Sequence, residues 1–556
     1  MRKLCISMAF LVIFGQQSWA GVHDPRALAA DPFTASEPIA PRLQGLGKHH
    51  FKVTTNSTSS QYFFDQGLRL NTGFNHSEAL RSFKEAVRLD PDNAMAYWGW
   101  ALVLGPNLNL PMQENVVAST WDAIQRALAL KALVTEREAD YIDALATRYS
   151  TDPSADRAAL DGAYAEAMAA LSAKYPDDLD AATLYAAAIM NTNPWDYWYK
   201  DGTPKAQTAV LLEVLASVLA RQPDHAAANH YYIHAVESYR PNLGVKAADD
   251  LRPLLPGAGH LVHMPSHIYM RVGRYQDSWD VNALAAGADE RYISQCNAQG
   301  IVPLGYYPHN IHFQVWSAMF LGNREKAMTA ARKIEDKMPA QMKDNPFGLN
   351  ESFRSQPIFT MVRFGLWQEV LTEPKPRGTG PFMRGVWHYG RGMAFNHTGQ
   401  QDKARMELEH LQQQAQAVSA EAGYAIGFAA ASSLIQIAEN VLSAEMDARN
   451  GDYNAALAKL DRAVRLQDSL LYNEPPDWYF PVRQVLGAVL IEAGRPGEAE
   501  VVYWEDLRRN PNNGYSLFGL QQALLAQGDE GTAAEMGRRF QTAWAGADYK
   551  LTTSRY

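Results

Sequence analysis

The chain has 556 residues, 47% hydrophobic and 20% charged, with 51 basic against 60 acidic side chains. This balance fits a folded chain and excludes an intrinsically disordered one; the acidic excess argues against nucleic acid, whose phosphates call for a basic face. The two cysteines are Cys5, in the extreme N-terminal segment, and Cys296, so an intrachain disulfide in the remainder is excluded and any metal site there must rely on histidine and carboxylate.

Residues 1–20 have the pattern of a secretory leader. Arg2 and Lys3 precede an apolar run over 4–15, and Ser18-Trp19-Ala20 is a small-x-small site that predicts cleavage after Ala20. No later stretch is apolar enough to span a membrane. The expectation is an exported protein, periplasmic or secreted. Residues 21–58, rich in Pro, Ala, Ser and Thr, predict an extended lead-in.

From residue 59 the pattern turns helical. Phe63, Gly67, Ala79, Phe83, Ala86 and Pro91 fall at offsets that Gly487, Ala499, Tyr503 and Pro511 repeat near the C-terminus, as do Gly392 and Ala404. Small residues at such positions let the two helices of a hairpin touch, and aromatics fill the gap to the next hairpin. The turns Gly273-Arg274, Gly322-Asn323, Gly399-Gln400 and Gly451-Asp452 each predict the start of a second helix. Unit starts fall near Ser60, Ala94, Ala226, Gly259, Pro308, Glu351, Gly385, Ile437, Phe480 and Gly514, several of them 33 or 34 residues apart. Residues 119–222 read as helical but match the repeat poorly, and residues 287–307 read as an inserted loop. No stretch alternates like a strand, so the fold class is all-α.

These marks resemble tetratricopeptide-repeat proteins over most of the chain. The resemblance implies an α-solenoid of stacked helical hairpins whose first helices line a concave groove, with protein or peptide binding as its usual work. The chain divides on this reading into an N-terminal helical segment (59–222), a histidine-rich segment (223–340) and a C-terminal repeat segment (341–550).

Eight of the 15 histidines fall within residues 225–312. His230, His234 and Glu237 stand at i, i+4 and i+7; His260, His263 and His267 at i, i+3 and i+7; His309 and His312 at i and i+3. At about 100° per residue each set lies on one helix face. In the repeat register the three sets fall on first helices of consecutive units, close enough for imidazoles of neighbouring helices to share an ion. The paired i, i+4 histidines His230, His234, His263 and His267 suit bidentate capture best. His309 and His312 divide evenly between ligand and ordinary polar residue. His260 precedes Pro265 by five residues, which puts its helix in question, and His225 is expected in a turn. Glu237 is a candidate ligand, a partner for an imidazole N–H, or a catalytic general base.

The strings Asn229–Glu237, Gly259–Tyr269 and 307–312, with the Pro- and Trp-containing turn at 473–483, resemble a group of exported bacterial tetratricopeptide proteins of uncharacterised activity. That resemblance implies no reaction. Thiolate-free, nitrogen-rich ligation suits copper first, then iron or zinc, and excludes calcium and magnesium. Six or more histidines exceed one tetrahedral site, which points to a dinuclear centre or to one metal with further histidines handling substrate or protons.

The aromatic run 191–199 is read as core packing or as a wall of a substrate pocket, and Cys296 as a small apolar residue. No phosphate loop, haem attachment motif or nucleophile elbow is present. The sequence therefore leads to an exported solenoid whose groove holds a multi-histidine metal centre, acting oxidatively or hydrolytically on a small or peptide-like substrate. The alternatives are a non-catalytic adaptor holding a protein or peptide partner in that groove, and a metal carrier.

Overall fold

A computed structural model describes residues 22–152, 154–338 and 348–556. The leader expected at 1–20 lies outside the described residues. Antiparallel helices joined by short turns account for nearly all of the regular structure, and no described helix is long and apolar enough to cross a membrane. The fold is an all-α solenoid of helical hairpins. The chain forms two compact units, His23–Asn310 and Ile311–Tyr556, so the histidine-rich segment 223–340 is divided between them.

The hairpins form where local chemistry dictates. Thr58–Thr72 is capped by Ser57, His76–Leu89 by Asn75 and Ala94–Leu104 by Asn93, each side chain accepting from a backbone N–H of the first turn. Gly273, Gly322, Gly399 and Gly451 all adopt left-handed φ between 66° and 81°, ending one helix so that the next can turn back beside it. Asn323 and Asp452 then cap the returning helix.

The spacing of small and aromatic residues has a direct packing consequence. The Phe83 ring sits against both Gly67 and Gly99; a Cβ at Gly67 would lie 2.8 Å from it, and one at Gly99 would overlap it. In the second unit the Tyr503 ring occupies the same kind of cradle between Gly487 and Gly519. Two glycines sixteen residues either side of an aromatic thus set how closely three successive helices approach, in each unit separately.

Two details depart from the sequence reading. The loop expected at 287–307 is helical as far as Cys296, Gly287 being carried inside Tyr275–Cys296 among good helix formers until Asn297 takes a left-handed φ of 48°; a single π-turn, Val302–Tyr306, follows. A two-residue β-ladder pairs Ala425–Ile426 with Ala429–Ala430, too short for a strand pattern to register.

The cradle predicts opposite signs for two glycine substitutions. Gly99→Ala forces a methyl into the Phe83 ring and should cost about 1–3 kcal/mol. Gly162→Ala, in the helix Arg157–Lys174 with open space around its Cβ, should stabilise by roughly 0.5–1 kcal/mol through helix propensity. Chemical denaturation of the two variants compares them.

Candidate metal centre

The site lies within His23–Asn310 and draws on three stretches. Ala226–Val236 supplies His230 and His234, one turn apart, with Glu237 as its C-cap. Gly259–His263 supplies His260 and His263; its neighbour Pro265–Arg271 supplies His267. Pro265 has no N–H and splits what would be one helix, but Met264 stays helical (φ −50°, ψ −37°), so His263 and His267 keep an i, i+4 relation. Helix therefore does extend back to His260. His309 comes from Tyr307–Phe320.

Two groups of three imidazoles result: His230, His234 and His260, and His263, His267 and His309. In each, one nitrogen per ring lies within 4.8 Å of the other two. His260 thus leaves the two histidines of its own motif and joins those of the preceding one. The groups adjoin: ring centroids of His234 and His267 are 5.6 Å apart, those of His260 and His263 6.0 Å.

The surroundings fix the tautomers. His230 Nδ1 faces the Thr72 carbonyl at 2.8 Å and must donate to it. His234 Nδ1 and His267 Nδ1 face the two oxygens of Glu237 at 3.1 and 2.6 Å. His263 Nδ1 lies 2.6 Å from Asn282 Oδ1, and the Asn282 amide is oriented by its own N–H bond to the Ser278 carbonyl. Each of these four imidazoles therefore carries its proton on Nδ1 and presents an Nε2 lone pair. The lone pairs of His263 and His267 converge, their Nε2 atoms 2.8 Å apart, and His230 Nε2 lies 3.2 Å from His260 Nε2, a ring whose Nδ1 has no anchor. Nitrogens that share an ion at about 2.0–2.1 Å lie roughly 2.9–3.4 Å apart. The second distance falls in that range and the first just below it. His234 Nε2 and His260 Nδ1 have no hydrogen-bond partner although both are buried.

Burial, and then the neighbouring imidazoles, hold His230, His234, His260 and His263 well below the ordinary histidine pKa. They are neutral, the form that binds metal. Burial pushes the Glu237 carboxyl up, opposed by His267 and Arg271. Both its oxygens are engaged and it is fully buried. Its geometry is that of an acceptor holding two imidazoles. His234, Glu237 and His267 also form a candidate metal-holding set through Nδ1 and carboxylate atoms, but a 2.6 Å N···O separation is a hydrogen bond and not the spacing of two ligands on one ion.

The imidazoles do not line an open groove. Phe74 packs against His230, His234 and His260 at ring separations of 4.6, 6.2 and 5.3 Å. Trp195 meets His234 edge-on at 5.2 Å, and Tyr306 covers His260 at 4.7 Å. Phe74 and Trp195 hold left-handed φ of 54° and 65°, a conformation that costs a bulky residue about 1–3 kcal/mol. Of the aromatic run 191–199, Trp195 walls the site, whereas Tyr197 and Trp198 belong to the core, the indole N–H of Trp198 donating to the Ala235 carbonyl at 2.8 Å.

The remaining candidates lie elsewhere. His312 belongs to the other unit, buried beside Phe353, with burial lowering its pKa to about 3. His225 caps Ala226–Val236, its Nδ1 accepting from the Ala228 N–H, so its Nε2 carries the proton. It groups with His49 and Asp180 at the edge of a cleft of about 1190 Å³. The sequence reading missed His49 and Asp180 because they lie far apart in the chain and outside any helical register. Cys296 is buried, its thiol pushed up to about 11, and joins no metal-holding group among the described residues.

Comparisons with known proteins show neither a family nor a role. No family model matches the chain, and no curated protein does. Among solved structures, a human IFIT1 dimer with m7Gppp-AAAA is 12% identical over 88% of this chain and 91% of its own, at a TM-score of 0.30. Yeast Tom70 is 11% identical over 86% of this chain and 99% of its own, also at 0.30. Neither bears on the chemistry of the histidines.

Two outcomes follow from the geometry. His76, buried in the same unit, has a pKa lowered to about 3. Like the four lowered imidazoles above, it binds fewer protons folded than unfolded below about pH 6.5, so stability rises with pH through that window and falls on acidification. In chelator, the melting temperature should drop from pH 7 to pH 5, each such histidine contributing at most about 1.4 kcal/mol per pH unit and together outweighing the opposite contribution of buried Asp289, whose carboxyl is raised to about 8; a melting temperature that rises on acidification contradicts neutral burial. Second, a Cβ at Gly259 would overlap the Asp289 carboxylate, which the Asn310 amide holds at 2.7 Å. Gly259→Ala should cost about 1–3 kcal/mol, and Asp289→Ala should relieve part of that loss in a double-mutant cycle.

Proposed function

We propose that residues 23–310 hold a dinuclear transition-metal centre, with His230, His234 and His260 on one ion and His263, His267 and His309 on the other. The observation that carries this reading is the Nε2–Nε2 approach at 2.8 Å between His263 and His267, whose Nδ1 atoms are both committed as donors, beside a second approach at 3.2 Å between His230, anchored in the same way, and His260. Glu237 acts as a positioning residue shared by the two groups, its carboxylate fixing one imidazole of each. Six nitrogen donors without thiolate suit copper first, then iron or zinc. When bound, such ions supply Lewis-acid or electron-transfer chemistry toward a small substrate. The chain's own residues orient the six imidazoles and, through Phe74, Trp195 and Tyr306, keep bulk water from them. Export through the N-terminal leader is part of the proposal.

A second reading, a scaffold holding a protein or peptide, draws on the hairpin architecture and on the cleft of about 1190 Å³ beside His49 and His225. It differs in one measurable respect, since partner binding at that cleft needs no metal.

Metal content decides between them. Protein equilibrated with copper, iron or zinc and desalted should retain about two equivalents of one of them by elemental mass spectrometry. His230→Ala/His234→Ala and His263→Ala/His267→Ala should each lose one. A folded wild-type protein that retains none removes the metal centre and leaves the scaffold; retention without redox activity in the copper form supports carriage alone.

A further inference from the structure

A cavity of about 510 Å³ lies beside the histidine groups, within the same compact unit, and its lining changes character from outside to inside. Its size suits one small organic molecule. Of the six grouped imidazoles, only His260 lines it. His260 also differs from the four tautomer-fixed rings in having no partner on Nδ1, so it can adjust to a ligand without breaking an anchor. Tyr306, over the His260 ring, and the buried Asp289 complete the inner end. The exposed part of the lining carries Arg42 and Arg291. Neither has a carboxylate partner among the described residues; Arg42 stacks on Tyr62 at 4.2 Å and donates to the Ser59 hydroxyl at 3.4 Å, contacts that leave the rest of its fork for a ligand. In a chain with net charge −9, whose exposed arginines elsewhere are repeatedly paired, as Arg495 is with Glu498 and Arg508 with Glu505, two arginines without a carboxylate partner in the lining of one cavity favour an anion there.

We propose that this cavity is the substrate pocket of the histidine centre and that it takes a small organic carboxylate, its charged end held by Arg42 and Arg291 and its body directed toward His260. The proposal rests on the metal-centre reading for what happens at His260, but not for binding itself. Burial raises the Asp289 carboxyl to about 8, which lessens the negative charge at the inner end.

The test separates pocket from metal. Benzoate and the uncharged benzyl alcohol, of similar size, are titrated calorimetrically into chelator-treated full-length protein, and the imidazole nitrogens are followed by NMR with ¹⁵N-labelled histidine. The expected result is benzoate binding roughly ten-fold or more tighter than the alcohol, lost by a similar factor in Arg42→Ala/Arg291→Ala, with the His260 resonances moving on benzoate addition. Equal affinity for the two probes, no binding of either, or unchanged affinity in the double variant overturns the proposal, as does binding that leaves His260 unmoved. Because both arginines are exposed, the double variant retains the fold, which its melting temperature verifies. Benzoate binding by a protein that retains no metal keeps the pocket and removes only the centre; metal retention without benzoate binding does the reverse.

Discussion

Two imidazole lone pairs cannot face each other at 2.8 Å in a dry interior unless something positive sits between them. His263 and His267 are brought to that approach with Asn282 and Glu237 already holding their Nδ1 protons. A proton or a metal ion satisfies the requirement. The surroundings weigh against the proton, since burial and the neighbouring rings lower the pKa of His263, and of His230, His234 and His260 in the adjoining group. Loading a cation there would release whatever proton is present, which is the ordinary linkage between metal uptake and pH. Everything else about the site serves to keep these rings where they repel.

Two strained aromatics are part of that service. Phe74 follows directly on the C-cap of Thr58–Thr72, where glycine or asparagine is the usual left-handed residue. A phenylalanine there meets His76 edge-on at 6.1 Å, and its ring contacts all three imidazoles of the first group. Trp195 takes the same backbone conformation on the other approach to His234. Of the four non-glycine residues with positive φ among the described ones, these two are aromatic and both touch one histidine. The other two are asparagines, which tolerate the conformation readily. The strain is thus confined to positions where a ring covers His234.

The fold was legible because its determinants are local and periodic. Gly67 and Phe83, or Gly487 and Tyr503, announce their contact by spacing, and the glycine turns announce the reversals. Helical register likewise placed His230 with His234 and His263 with His267. What register could not show was the partition. His260 shares a motif with His263 but a group with His230, because the ring to which it points is decided by the neighbouring helix. His312, one turn beyond His309, falls to the other unit. Glu237 could be read as ligand, base or anchor until the Nδ1 atoms of His234 and His267 were found on its two oxygens. Burial was illegible for a similar reason: Phe74 and Tyr306 come from distant parts of the chain and carry no motif of their own.

The anchoring of the six rings is unequal, and that inequality separates holding from reacting. His230, His263 and His267 are tied by short bonds to the Thr72 carbonyl, the Asn282 amide and Glu237. His260 has no such tie, and its backbone is set instead by Gly259, where only a hydrogen fits beside the Asp289 carboxylate. A ring tied at Nδ1 can define a geometry but cannot turn toward a ligand without breaking that bond; a ring with Nδ1 unpartnered loses no such bond when a ligand approaches. It is this ring, and none of the anchored ones, that faces the smaller cavity. Precision in four imidazoles and latitude at His260 need no separate machinery: both follow from which nitrogens the hairpins supply with acceptors.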